Sequence, residues 1–151
     1  MDKLFGMTDN EKIVAGCFGA WGSGKFNAEG REEVFASMCA EGIVGNCNAG
    51  GHEFKNTTAY KSYEGQAGFF EWIDFLGNEL EFPDFTVKNC VEQEDGTVAL
   101  TMCATTGNKK TGKKEDGPTP NDTVWTVADG KISAWSMTWS KPEALDGIFA
   151  A

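Results

Sequence analysis

The sequence predicts an α+β domain in which three N-terminal helices pack against one face of a curved, mostly antiparallel sheet. Three observations predict this class. Apolar residues recur at helical spacing before Pro83, the period changes towards the two residues of a strand after it, and Asp129-Gly130 supplies a hairpin turn between the last two strands. With 151 residues, the chain is expected to form a single domain, 1–151.

The helices are predicted from their ends and from their apolar stripes. The first begins at a capping box, in which Thr8 and Glu11 can each satisfy the other's backbone N–H, and it ends at Gly22-Ser23-Gly24. A second, short helix is expected over 28–39. A third, over 66–80, has apolar residues along one continuous face.

The strands are predicted from runs rich in β-branched and aromatic residues, at 42–44, 85–91, 98–105, 123–127 and 132–139. The Gly- and Asn-rich stretch 45–51 is expected to bend the chain. A polar segment, 108–121, interrupts the strand pattern. Its four lysines between Lys109 and Lys114 are expected to form a solvated hairpin tip.

The charge of the chain excludes two classes of partner. Lys and Arg together number 13 against 23 for Asp and Glu, which gives a net charge of −10. Nucleic acids and anionic membrane surfaces bind basic proteins, so neither is expected as a partner. The sequence also contains no recognisable signal peptide and no apolar run long enough to span a membrane.

The cysteines favour a reducing compartment. There are five of them, an odd number, and no Cys-x-x-Cys motif. We therefore expect reduced, mostly buried thiols and a cytoplasmic protein. The single histidine, His52, and the scattered cysteines lack the spacing of metal ligands, so no metal site is expected.

Four motifs follow one another along the chain: Tyr63-Glu64-Gly65, Phe82-Pro83-Asp84-Phe85, Glu94-Asp95-Gly96-Thr97-Val98-Ala99 and Asp122-Thr123-Val124-Trp125-Thr126-Val127-Ala128-Asp129-Gly130-Lys131-Ile132. In this order and spacing they resemble the nuclear transport factor 2-like superfamily, which includes the ketosteroid isomerases and the SnoaL-like polyketide cyclases. The resemblance covers roughly residues 9–140 and implies a cone-shaped fold. It also implies a homodimer formed through the sheet, and an outward-facing Trp125 would suit such an interface.

The site residues of the isomerases transfer unevenly. The resemblance places Asp122 at the position of the protonated carboxylic acid in the oxyanion hole. It places Asn46 at the position of the general base and Cys17 at that of the oxyanion tyrosine. Because an amide cannot take a proton from carbon and a thiol is a poor donor, steroid isomerisation is not expected. The alternative for Asp122 is a surface residue that ends the lysine-rich segment.

Other candidates come from the side chains themselves. His52 can act as a general acid or base, because imidazole titrates near neutral pH, or it can have a structural role. Either tyrosine can supply an oxyanion donor, or it can simply pack its ring. Bulky residues at period two on the last strand suit either pocket walls or core packing. The predicted ligand contacts are Trp135, Met137, Trp139, Tyr60, Tyr63, Asn46, Cys17 and Val124.

The leading hypothesis for function is an acid/base enzyme of the isomerase, dehydratase or cyclase type that needs no cofactor. It would act on a small apolar ligand that carries a carbonyl or hydroxyl group, with Asp122 as acid or oxyanion donor and His52 as proton acceptor. One alternative is a binding protein that has the pocket without the chemistry, which Asn46 and Cys17 favour. Another is a homo-oligomeric assembly module of the same fold.

Overall fold

A computed structural model describes residues 7–151. The helices are α1 (Asp9–Gly22), α2 (Arg31–Met38), α3 (Gly65–Glu79) and α4 (Pro142–Gly147), with a 3-10 turn at Lys25–Asn27. The strands are β1 (Cys39–Asn46), β2 (Ser62–Glu64), β3 (Leu80–Glu92), β4 (Val98–Asn108), β5 (Thr119–Ala128) and β6 (Lys131–Trp139).

The strands form one six-stranded sheet in the order β2-β1-β6-β5-β4-β3, with β2 and β3 at its edges. The pair β1–β6 is parallel and all other pairs are antiparallel. Helices α1 and α3 both contact several of these strands, so the helices and the sheet enclose a common core. The predicted α+β fold, a mostly antiparallel sheet packed with helices, is therefore confirmed.

Some boundaries differ from the prediction for local reasons. Helix α2 begins at Arg31 and not near residue 28, because Gly30 has a left-handed φ of 86° through which a helix cannot continue. Strand β3 includes Pro83, which an edge strand tolerates because one of its sides needs no N–H donor. The short strand β2 and the helix α4 were not predicted.

The start of α1 follows the predicted capping box. The Glu11 backbone N–H donates to Thr8 Oγ1 at 3.2 Å, and the Thr8 N–H donates to Glu11 Oε1 at 3.0 Å. The second oxygen of the Glu11 carboxylate accepts from the Glu92 N–H at 2.6 Å, although the residue is buried. The cap therefore also fastens α1 to the end of β3, which gives this buried carboxylate the hydrogen bonds it needs.

The contact between β1 and β6 depends on a glycine. Alternate residues of β1 face the core, and at Gly45 the neighbouring strand places the indole of Trp135 directly over the backbone. A Cβ atom at Gly45 would lie 2.2 Å from Trp135 Cε2. The indole Nε1 also donates to Cys47 Sγ at 3.4 Å, so this side chain is fixed in two ways.

Replacing Gly45 by alanine is expected to lower the free energy of unfolding by about 1–3 kcal/mol, because the indole of Trp135 must move. Gly42→Ala is the matched control: it lies in the same strand, and a Cβ there meets no atom within 4 Å. Urea titration of both variants measures the difference. Equal stabilities would contradict the close packing of Trp135 on Gly45.

Within residues 7–151, none of the helices is long and apolar enough to cross a membrane.

Candidate functional site

A cavity of about 70 Å³ lies between the sheet and the helices α1 and α3. More than half of the residues that line it are aromatic, and they include all five tryptophans of the chain. The tryptophans are Trp21, Trp72, Trp125, Trp135 and Trp139. Ligand pockets commonly measure about 300–1,000 Å³, so this cavity suits a compact molecule of about one ring.

Strands β5 and β6 build much of this aromatic wall, because alternate side chains of a strand point to the same face. Trp125 in β5 lies directly opposite Trp135 in β6, and their rings stack with centroids 6.1 Å apart. Met137 and Trp139 continue the inward row of β6. The three bulky residues assigned to the last strand therefore do line the cavity, and their contact with a ligand stays a prediction.

The expectation that Trp125 faces outward is wrong. It is only 4% exposed and lines the cavity, so it is not an outward aromatic residue. Val124, the residue before Trp125 in β5, points to the opposite face of the strand. It is 37% exposed and points away from the cavity. Its predicted contact with a ligand in the cavity is therefore wrong as well.

Few of the described residues that line the cavity have polar side chains, and none of these side chains is charged. They are Cys17, Tyr60, Thr106 and Asn121. Among residues 7–151, no Asp, Glu, His, Lys or Arg lines the cavity. The wall can therefore bind an apolar molecule, and its hydrogen-bonding groups are neutral at neutral pH.

Tyr60 is buried without a partner for its hydroxyl. The side chain is 6% exposed, and its ring packs between others, with Phe54 stacked at 4.6 Å and Trp139 edge-on at 5.2 Å. Among residues 7–151 the hydroxyl has no hydrogen bond. Burial raises the pKa of Tyr60 well above its ordinary value, so the hydroxyl keeps its proton and can donate it in a hydrogen bond.

Asn121 supplies a second donor beside the first. Its side-chain oxygen accepts from the Ser140 N–H at 2.9 Å, whereas its NH₂ group has no partner in the part of the chain that the structure describes. The residue is 6% exposed and lies opposite Trp139 in the sheet. Trp139 therefore neighbours both residues, Asn121 across the sheet and Tyr60 through its ring, and this part of the cavity wall is called its polar end below.

A buried carboxyl group lies directly behind this polar end. Glu115 is 8% exposed, and its Oε1 accepts from the Thr106 N–H at 2.9 Å. Burial raises the pKa of Glu115, while hydrogen bonds from the Thr106 backbone and hydroxyl and the charge of Lys141 act in the opposite direction. Because Thr106 lines the cavity, one residue separates this carboxyl from the interior.

The lysines around Glu115 behave as predicted. Lys109, Lys110, Lys113 and Lys114 are all exposed. Lys109 Nζ donates to the Gly77 carbonyl at 2.7 Å, and Lys113 Nζ donates to the Ala150 carbonyl at 2.9 Å. This part of the segment therefore lies on the surface, although the buried Glu115 within the same polar stretch was not expected.

The prediction that Asp122 points into the cone is wrong. Its side chain is exposed, and its Oδ1 accepts from Thr101 Oγ1 at 2.9 Å on the outer face of the sheet. The inward positions of β5 are Asn121, Thr123 and Trp125. A displacement of one residue moves a side chain to the opposite face of a strand, so Asn121 occupies the place assigned to Asp122.

Asn46 shows the same displacement in β1. The core-facing residues of this strand and its end are Ile43, Gly45 and Cys47, so Asn46 is exposed. Its Oδ1 accepts from the Asn48 N–H at 2.9 Å and stabilises the bend that follows. Its assignment to the ligand pocket is therefore wrong, whereas Cys17 does line the cavity.

His52 and Tyr63 lie outside the cavity wall. The half-buried His52 packs its ring edge-on against Phe54 at 4.9 Å, and its backbone bonds with the Asn48 side chain. The Tyr63 hydroxyl donates to the Ala59 carbonyl at 2.6 Å. Neither side chain reaches the cavity, so the structure gives no support to their predicted roles and instead assigns each a structural contact.

The cysteines close to the cavity are protonated. Burial raises the pKa of Cys47 to about 12, which the hydrogen bond from Trp135 opposes only in part. A hydrogen bond with Cys39, followed by burial, raises the pKa of Cys17 well above its ordinary value. Because the thiolate is the nucleophile, these groups are unreactive at neutral pH, as expected from the sequence.

No group of three or more His, Cys, Asp or Glu side chains within the described range 7–151 is arranged to hold a metal ion.

The fold is that of nuclear transport factor 2-like proteins. An NTF2-like protein of unknown function from Burkholderia pseudomallei superposes with a TM-score of 0.70 at 13% identity, over 96% of this chain and 100% of that one. A protein assigned as a SnoaL-like polyketide cyclase from Jannaschia gives a TM-score of 0.64 at 18% identity, over 100% and 99%. TerC, which was co-crystallised with polyporic acid, superposes with a TM-score of 0.66 at 14% identity, over 95% of this chain and 100% of that one.

No protein-family model matches the sequence, and no curated protein is significantly similar to it. The structural likeness therefore shows the predicted cone-shaped fold, while identities of 13–18% leave the activity to be argued from the cavity.

The raised pKa of Cys47 makes stability depend on alkaline pH. Above its ordinary pKa of 9.0 the thiol ionises in the unfolded chain but not in the folded one, so its contribution is complete below pH 9 and is lost as pH rises towards about 12. Cys47→Ala removes the ionising thiol. Between pH 9 and about 12, the free energy of unfolding of this variant should therefore fall less steeply than that of the wild type, and the two slopes should differ by up to about 1.4 kcal/mol per pH unit. Urea titrations under reducing conditions measure both slopes, and equal slopes would contradict the buried thiol.

Proposed function

We propose that the protein binds a compact organic molecule with an apolar body and one oxygen that accepts hydrogen bonds from Tyr60 and Asn121. The observation that carries the proposal is the Tyr60 hydroxyl, which is buried beside the cavity without a partner among the described residues. An unpaired buried hydroxyl costs about 1–3 kcal/mol, and a ligand oxygen that accepts a hydrogen bond from it removes this cost. Aromatic walls with a few polar groups are typical of small-molecule sites.

The comparisons support this proposal at the level of fold. TerC has the same fold and was co-crystallised with the organic molecule polyporic acid, and the Jannaschia protein is assigned to the polyketide cyclases. Within the described residues of this chain, the cavity wall holds no carboxylate and no imidazole, because Asp122 and His52 lie elsewhere. Binding is therefore the function that the geometry supports best.

A matched pair of ligands tests the role of Tyr60. Cyclohexanone and methylenecyclohexane have nearly the same shape, but only the ketone has an oxygen acceptor. We expect the wild type to bind the ketone more tightly than the hydrocarbon. Tyr60→Phe should lower the affinity for the ketone about five- to tenfold and leave the affinity for the hydrocarbon unchanged. Ligand-observed NMR measures both affinities.

Tyr63→Phe is the control, because it removes the same group from a tyrosine whose hydroxyl is already bonded to Ala59 and lies outside the cavity wall. A similar loss of ketone binding in both variants would contradict the assignment to Tyr60. If neither ligand binds the wild type, the cavity does not serve compact molecules of this kind, and the assembly-module hypothesis gains support.

Acid/base chemistry on the bound molecule is a second candidate function, and Glu115 is the observation that favours it. Its buried carboxyl is the only one bonded to a residue of the cavity wall in the described part of the chain, through the backbone N–H of Thr106. Because Thr106 separates this carboxyl from the interior, a proton removed from the carbon next to a carbonyl would reach it through the Thr106 hydroxyl, while Tyr60 and Asn121 stabilise the enolate oxygen. This reaction would belong to the predicted isomerase, dehydratase or cyclase class.

Exchange of the α-protons of cyclohexanone in D₂O tests this second function. An enzyme of this class would exchange them faster than buffer alone, and Glu115→Gln would abolish the acceleration. Glu94→Gln, in the exposed β3–β4 turn, makes the same change of charge away from the cavity. If the wild type exchanges these protons no faster than buffer alone, acid/base catalysis is contradicted, and binding remains as the proposed function.

A further inference from the structure

The charges around the cavity are unbalanced. Two buried carboxyl groups, Glu115 and Asp146, both act on Tyr60 and contribute to raising its pKa. Neither forms an ion pair within residues 7–151. The positive charge that acts on Glu115 is that of Lys141, whose side chain is exposed. The polar end of the cavity therefore lies in a field that favours positive charge.

The hydrogen bonds of these carboxyl groups are made with neutral donors. Glu115 accepts from Thr106, and Asp146 accepts from the backbone N–H groups of Lys55 and Asn56, both at 2.9 Å. Such bonds hold the carboxylates in place but leave their negative charge uncompensated. Because neither group is fully solvated, this charge is screened less by salt than an exposed one would be.

The cavity wall itself also favours a cation over an anion. More than half of the described residues that line it are aromatic, and the negative face of an aromatic ring attracts an ammonium group. No lysine, arginine or histidine of the part of the chain that the structure describes lines it, so no cation in that part of the wall would neutralise a carboxylate. The net charge of −10 adds a long-range attraction for cations in solution.

We infer that the ligand carries a protonated amine close to the oxygen that Tyr60 and Asn121 bind, as in a small amino alcohol or amino ketone. This inference rests on the proposed function, to which it adds the chemical class of the ligand. The oxygen accepts from the two donors, the apolar ring lies against the aromatic wall, and the ammonium group lies on the side of Thr106, behind which Glu115 is held.

Three ring compounds of similar size test the charge alone. They are trans-2-aminocyclohexanol, trans-2-methylcyclohexanol and trans-2-hydroxycyclohexanecarboxylate, which share the hydroxyl group and differ in the charge beside it. We expect the amine to bind about tenfold more tightly than the methyl compound, and the acid to bind most weakly. Hydrogen bonding alone would instead favour the acid, since Tyr60 and Asn121 are donors.

Glu115→Gln locates the source of the preference. The amide can still accept from the Thr106 N–H, and we expect the affinity ratio of amine to acid to fall about tenfold. In Glu94→Gln, which changes the net charge equally at an exposed turn, the ratio should stay within about twofold of the wild type. The wild-type preference should also persist at high salt, where long-range attraction is screened.

The outcomes separate this inference from the proposed function. If the acid binds as tightly as the amine in the wild type, the inference is overturned, and this result does not depend on whether any variant folds. If cyclohexanone binds but none of the three compounds does, the inference fails and the proposed function stands; if cyclohexanone also fails to bind, both fail. If the methyl compound binds through Tyr60 but the amine shows no advantage, binding stands and the charge preference is wrong.

Discussion

The alternation of side chains along β5 and β6 is the constraint on which the rest of the site depends. The stacked pair Trp125 and Trp135 marks the inward face of both strands. Once that face is fixed, Asn121 must point inward and Asp122 outward, and the polar end of the cavity follows. Gly45 permits this arrangement, because only a residue without a side chain leaves room for the indole of Trp135. A single close contact thus sets the parity of two strands and the chemistry of the cavity.

The fold could be predicted because its signals are local and mutually consistent. The capping box at Thr8, the apolar stripe of α3 and the turn at Asp129-Gly130 each specify their own element. Period-two patterning also identified Trp135, Met137 and Trp139 as one inward row. Two short elements were missed because β2 has three residues and α4 has six, too few for a periodic pattern to be recognised.

The site could be predicted only in part, and the errors within β1 and β5 at the predicted ligand contacts have one cause. Asp122 and Asn46 were assigned by alignment with a distant family, and Val124 has the same parity as Asp122, whereas the side of a strand changes with every residue. Anchoring the parity on Trp125 as a core residue would have selected Asn121. Glu115 could not have been found in this way, because it lies in a polar, lysine-rich segment whose composition is that of an exposed loop.

The concentration of every tryptophan around one cavity has a consequence for how this protein can be observed. Indole emission depends on its immediate surroundings, and here all five indoles line the same cavity. The intrinsic fluorescence is therefore a spectroscopic probe of a single place in the molecule. It reports water entering between the helices and the sheet. The β3–β4 hairpin tip and the lysine-rich segment carry no tryptophan, so changes there do not alter the tryptophan emission. Comparison of fluorescence with circular dichroism during unfolding would then show whether the cavity opens before the sheet is lost.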